Sequence, residues 1–236
     1  MRCRLCKWLC DRFCEPGVGS DEDWREFWRV SQGWEQDHSN EWDQWVADSA
    51  EVQARNERTV EVFKTDRSLA FDLRKELADN GSVWAMRLIG QHFERGWGVE
   101  RDLAQAEHYY YRAQLAGSWM ATLDLADLLF SHRINERWVG ILENGVESGF
   151  IPSSFWLAHY RYKRDPRRQM ARDVRPLLET AANAGHPGAR MTLARWRAQG
   201  KYGLREIQGG FREFRSLWAD FRGGRLRDYA AKPDGA

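Results

Sequence analysis

The chain has 236 residues, 42% of them hydrophobic and 30% charged, which is enough to bury a sizeable core. Lys and Arg number 36 against 35 Asp and Glu, a formal net charge of +1, so no whole-chain charge draws the protein to nucleic acid or to an acidic substrate. All four cysteines fall within the first 14 residues, which excludes a disulfide-stapled scaffold, and no apolar run nears the roughly 20 residues needed to cross a bilayer. A cytoplasmic location is expected, with one architectural unit as the starting assumption.

Residues 1–20 hold Cys3, Cys6, Cys10 and Cys14 among Leu5, Leu9, Phe13 and the cations Arg2, Arg4, Lys7 and Arg12. Asp11 and Arg12 interrupt the apolar residues, so no signal peptide is expected. On a continuous helix the first and last sulfurs would be about 16 Å apart along the axis, too far to share one metal. A helix here would be amphipathic. Its thiols either pack as small hydrophobes against the body, lie on a membrane surface, or fold back around a metal or redox centre.

Residues 21–65 form an acidic, Trp-rich lead-in: nine acidic residues lie between positions 21 and 50 against Arg25 and Arg29, together with Trp24, Trp28, Trp34, Trp42 and Trp45. The helical spacing of Trp24, Phe27 and Trp28, and of Trp42 and Trp45, predicts a pair of amphipathic helices capping the first unit of a repeat array. A partner-binding segment is the alternative.

From residue 66 the chain repeats. Gly81, Gly117, Gly149 and Gly185 are spaced by 36, 32 and 36 residues, the length of a helix-turn-helix unit. Four residues after each glycine stand Ala85, Ala121, Ser153 and Ala189; eight after stand Ile89, Leu125, Leu157 and Leu193; nine after stand Gly90, Ala126, Ala158 and Ala194. Small residues at fixed heights are what close helix packing requires. Upstream of the last three glycines, Ala113, Gly145 and Ala181 lie four residues before and Tyr109, Ile141 and Leu177 eight before, marking a second helix that each glycine closes as a left-handed C-cap. The array is expected over 66–222, followed by a frayed tail at 223–236.

At residues 85–121 the pattern becomes specific. Ala85, Ile89 with Gly90, Phe93, Gly96, Gly98, Val99, Asp102, Ala106, Tyr109 with Tyr110, Ala113 and Gly117 occur in the order of a Sel-1-like repeat, which this stretch resembles closely. Gly96 and Gly98 permit a tight turn between antiparallel helices, and Asp102 can cap the second helix. The resemblance implies an all-α fold, an α/α superhelical solenoid of antiparallel helix pairs related to tetratricopeptide arrays. It also implies a role as adaptor or scaffold in protein complexes. Ser153 in place of Ala and a shortened loop at 131–137 depart from the pattern in the third unit.

No site for chemistry stands out. His38, His92, His108, His132, His159 and His186 are scattered without metal-ligand spacing, GWGVERD lacks the ending of a phosphate loop, and no nucleophile elbow occurs, so neither a catalytic activity nor a cofactor is expected. The first helix of each unit is expected to line an inner face, through Trp84, Gln91, Arg95, Met120, Asp124, Asp127, Trp156, His159, Lys163 and Arg195. This mixed aromatic and charged strip suits a protein or peptide partner better than a small molecule. Two alternatives remain: a membrane-surface tether through residues 1–20, and nucleic acid at a basic stretch containing Trp156, Tyr160, Tyr162, Arg161, Lys163, Arg164, Arg167, Arg168 and Arg172, whose arginines can instead form a solvated turn or meet the acidic lead-in or an acidic partner.

Overall fold

The computed structural model describes residues 20–40 and 48–224, and all regular structure among them is helical. The cysteine segment, Trp42 and Trp45, and most of the expected tail lie outside these residues. The chain divides into two compact units rather than one: Gln36–Phe150, and Glu35 and earlier together with Ile151 onward.

Within Gln36–Phe150 the helices are α2 (Ala50–Thr65), α3 (Arg67–Asp79), α4 (Val83–Arg95), α5 (Leu103–Leu115), α6 (Trp119–Ser131) and α7 (Arg137–Glu147), each packed on its sequence neighbour. The starts and stops follow local chemistry. Asp66 Oδ1 accepts from the Leu69 amide, and Asp102 Oδ1 accepts from Ala104 and Gln105, so the second helices open with aspartate caps. Ser82 and Ser118 open the first helices in the same manner. At the helix ends, Gly81, Gly117 and Gly149 take φ of 100°, 90° and 80°, and the next amide returns to the carbonyl of Leu77, Ala113 or Gly145. These are the left-handed caps that the glycine register predicts.

The packing template is realised as well. Ala85, Ala121, Ser153 and Ala189 are completely buried, as are Ile89, Ala126, Ala158 and Ala194. Gly90 lies against the Tyr110 ring, where a Cβ would come within 2.4 Å of Cδ1. Gly98, at φ +72°, presses its backbone on the Arg67 carbonyl, where a Cβ would stand 2.2 Å from the oxygen. In the shortened loop Arg133 occupies the left-handed region, φ 52°, with the Ile134 amide closing on Leu129. A non-glycine residue there carries strain of roughly 1–2 kcal/mol.

The other unit contains α1 (Asp21–Asp37, through Glu35), α8 (Ile151–Arg164), α9 (Arg168–Asp173), α10 (Arg175–Asn183), α11 (Pro187–Ala198), a 3-10 turn (Leu204–Glu206) and α12 (Ile207–Arg222). Here the lead-in departs from expectation. α1 does not cap the first repeat; its Phe27 and Val30 join Met191 and Ala194 of α11 and Phe214, Leu217, Trp218 and Phe221 of α12 in one core. Trp24 lies 4.5 Å from Trp218 between ring centroids, and Asp23 meets Arg222 at 3.4 Å. α12 is the last helix of the array, and without α1 its apolar face would meet water, a loss of roughly 1.5–3 kcal/mol for each large side chain uncovered. Among the described residues α2 packs beside α3, the first helix of the array.

Candidate interaction faces

The expected strip falls in both units, and each half has its own chemistry. In Gln36–Phe150, Asp124 on α6 accepts from Arg87 Nε at 2.6 Å and from Gln91 Nε2 at 3.4 Å, so Gln91 and Asp124 do come together. Arg95 is exposed and sits over the Trp97 ring at 5.1 Å; Trp84 is half-buried and Asp127 exposed, accepting from Ser131. Met120 is a correction, being only 8% exposed. It occupies the first turn of α6, where Asn40 donates to the Gly117 carbonyl and accepts from the Trp119 amide.

In the other unit Trp156 is half-buried and donates from Nε1 to Glu35 at 3.0 Å, with His159 edge-on at 5.5 Å. Lys163 and Arg195 are exposed. Beyond them lies a cluster that the sequence pattern does not pick out. Tyr162 and Trp196 pack at 4.2 Å, Lys201 Nζ bonds the Tyr162 hydroxyl and covers both rings, and Arg168 donates to the carbonyls of Gly200 and Lys201. Burial pushes the Tyr162 phenol up from its ordinary value, against the opposing charge of Arg195.

This arrangement weakens the nucleic-acid reading of the basic stretch. Tyr160 is 3% exposed, the Trp156 indole is committed to Glu35, and Arg167 pairs with Asp165, leaving no run of open rings on which bases could stack.

Charge is unevenly shared along the chain. Residues 151–224 carry fifteen Lys and Arg against six Asp and Glu, whereas 48–150 carry twelve against seventeen. A near-neutral total therefore conceals a basic C-terminal region. Several of its few carboxylates are engaged: Glu179 and Glu206 with Arg175, Glu206 and Glu213 with Arg197.

Two histidines prove to be structural. His92 is completely buried; its Nδ1 bonds the Trp97 carbonyl and its Nε2 lies 2.9 Å from Arg74 Nη1, so Nε2 is the acceptor and the imidazole is neutral. Burial, with the charges of Arg74 and Arg67 adding to it, lowers its pKa to about 4. His186 is also completely buried, accepts from the Ala189 amide at Nδ1 and so donates from Nε2 to Glu35 at 3.0 Å. Among the described residues no three His, Cys, Asp or Glu side chains converge as a metal site, and no helix is long and apolar enough to cross a membrane. The hollow over Ala54, Glu57, Arg58, Val60 and Glu61 is formed by α2 alone, without converging polar groups.

No protein-family profile and no curated protein matches the sequence. Solved structures do match. A Sel1 repeat protein from Oxalobacter formigenes superposes with a TM-score of 0.55 at 14% identity, over 70% of this chain and 73% of that one. A protective antigen present in uropathogenic Escherichia coli strains, described as displaying an SLR fold, gives 0.55 and 14% over 78% of this chain. This chain spans 43% of the length of that antigen. The fold is that of Sel-1-like repeats, as the pattern at 85–121 implies.

Proposed function

We propose that this chain is a non-catalytic adaptor that holds a protein partner on the faces of its first helices. Helical repeats of this fold commonly mediate protein–protein interaction, and what supports the reading here is the composition of those faces. Half-buried aromatics such as Trp84 and Trp156 alternate with exposed charges such as Arg95, Asp127, Lys163 and Arg195. Rings anchored at an interface and surrounded by polar residues are the usual composition of recognition surfaces.

Asp127→Lys and Lys163→Glu each reverse one exposed charge, one on either half of the strip. Affinity capture with the full chain is expected to retain a protein, identifiable by mass spectrometry, whose recovery falls several-fold with one of these variants while helicity by circular dichroism is unchanged. Capture of no protein, or of a set indifferent to both reversals, counts against the strip.

A further inference from the structure

We infer that the ligand of the α8–α11 face is an acidic polypeptide segment, seated on Arg168, Arg195 and Lys201 around the Tyr162–Trp196 pair. The inference rests on the adaptor reading and specifies its partner.

Three observations meet at this cluster. The first is the excess of nine positive charges in residues 151–224. The second is that two of these cations meet no carboxylate among the described residues: Arg168 donates to main-chain carbonyls, and Arg195 stands next to Trp196 on α11. Both side chains are exposed. The nearby acids are spent elsewhere, Asp165 on Arg167 and Glu179 on Arg175 and Arg197. The third is rigidity. Arg168 is fastened to the end of α11, and Lys201 is held over the rings at 4.1 and 4.8 Å, so the cations are placed before a ligand arrives.

A guanidinium with open donors takes a carboxylate in bidentate fashion, and several cations on one face take a run of them. Nucleic acid would also satisfy the charge, but its bases need open ring faces. Tyr162 and Trp196 spend theirs on each other and on Lys201, and Trp196 is only 7% exposed. Side-chain carboxylates on a flexible backbone need only the charges.

Fluorescence anisotropy of a labelled peptide of alternating Glu and Gly, titrated with the full chain, tests this. The expected result is binding that weakens as salt rises, falls at least about tenfold with Arg195→Glu, and survives Arg58→Glu, an equal change of net charge on α2. A Gln-for-Glu control peptide should not bind. Absence of binding, equal losses with both variants, or tighter binding of an oligothymidylate of the same length would overturn the inference. A captured partner indifferent to Arg195→Glu and to salt would leave the adaptor reading standing and remove this one.

Discussion

Among the described residues each unit buries one ionic side chain without an opposite fixed charge, and the two do so with opposite signs. In Gln36–Phe150 the cation Arg74, 5% exposed, bonds Thr59 Oγ1 at 3.1 Å and His92 at 2.9 Å and lies over the Phe63 ring at 4.7 Å. Burial lowers its pKa to about 10. In the other unit the carboxylate of Glu35, 3% exposed, receives His186 Nε2 and Trp156 Nε1, each at 3.0 Å. Among the described residues neither has an ion-pair partner of opposite fixed charge. A neutral histidine serves both, as acceptor to the arginine and as donor to the glutamate, because its two tautomers offer either face. What differs is what each centre joins: Arg74 ties α2, α3 and α4 of consecutive repeats, whereas Glu35 ties α1, at the start of the chain, to α8 and α11. A buried charge satisfied only by particular neutral partners is costly to misplace, so such centres fix which helix docks where.

Breaking the two centres separately sharpens the comparison. The largest effect is expected from Gly98→Ala, beside the turn whose Trp97 carbonyl holds His92: left-handed strain and the collision with Arg67 together should remove about 3 kcal/mol or more in denaturant unfolding. Gly81→Ala, at φ +100° with open space around it, should lose only the strain, so the difference between the two isolates the collision. Glu35→Ala strands the His186 and Trp156 donors in a buried site and should cost about 3 kcal/mol, with Glu35→Gln milder because the amide oxygen still accepts.

Acid should distinguish the units as well. His92 titrates at about 4 when folded and 6.5 when unfolded, so the folded state resists the proton. Its contribution is complete above pH 6.5 and is lost as pH falls toward 4, up to about 3 kcal/mol in all. Unfolding curves across that window should be flatter for His92→Gln than for the natural chain. The smallest effect expected is a gain: Arg133→Gly should relieve the left-handed residue and raise stability by up to about 1 kcal/mol, seen as a higher unfolding midpoint.

The repeat was legible in the sequence because packing writes it there at fixed spacing. A small residue four after each glycine and an apolar one eight after must recur wherever helices pair, and the burial of Ala121 and Leu125 follows from it. The Gly-x-Gly turn and the Asp102 cap were legible for the same local reason. The destination of α1 was not. Trp24, Phe27 and Trp28 announce an apolar face, but periodicity cannot say whether that face meets the first helix of the array or the last. His186 had a readable signal that spacing alone hid: it follows its marker glycine as Ser82 and Ser118 follow theirs, and all three cap the next helix. Met120 turned out buried, which the spacing that placed it on the strip does not reveal. Arg168 and Arg195 each stand out in the sequence, but in separate patterns, and Lys201 in neither; their grouping was hidden because the members come from three separate segments and the whole-chain charge nearly cancels.

Hydrogen–deuterium exchange of the full chain, with and without the protein recovered by capture, tests most directly whether recognition lies on first-helix faces. The account predicts slowed exchange in α8 and α11, at Ile151–Arg164 and Pro187–Ala198. Protection confined to second helices such as α5 and α7, with α8 and α11 unchanged, would contradict it.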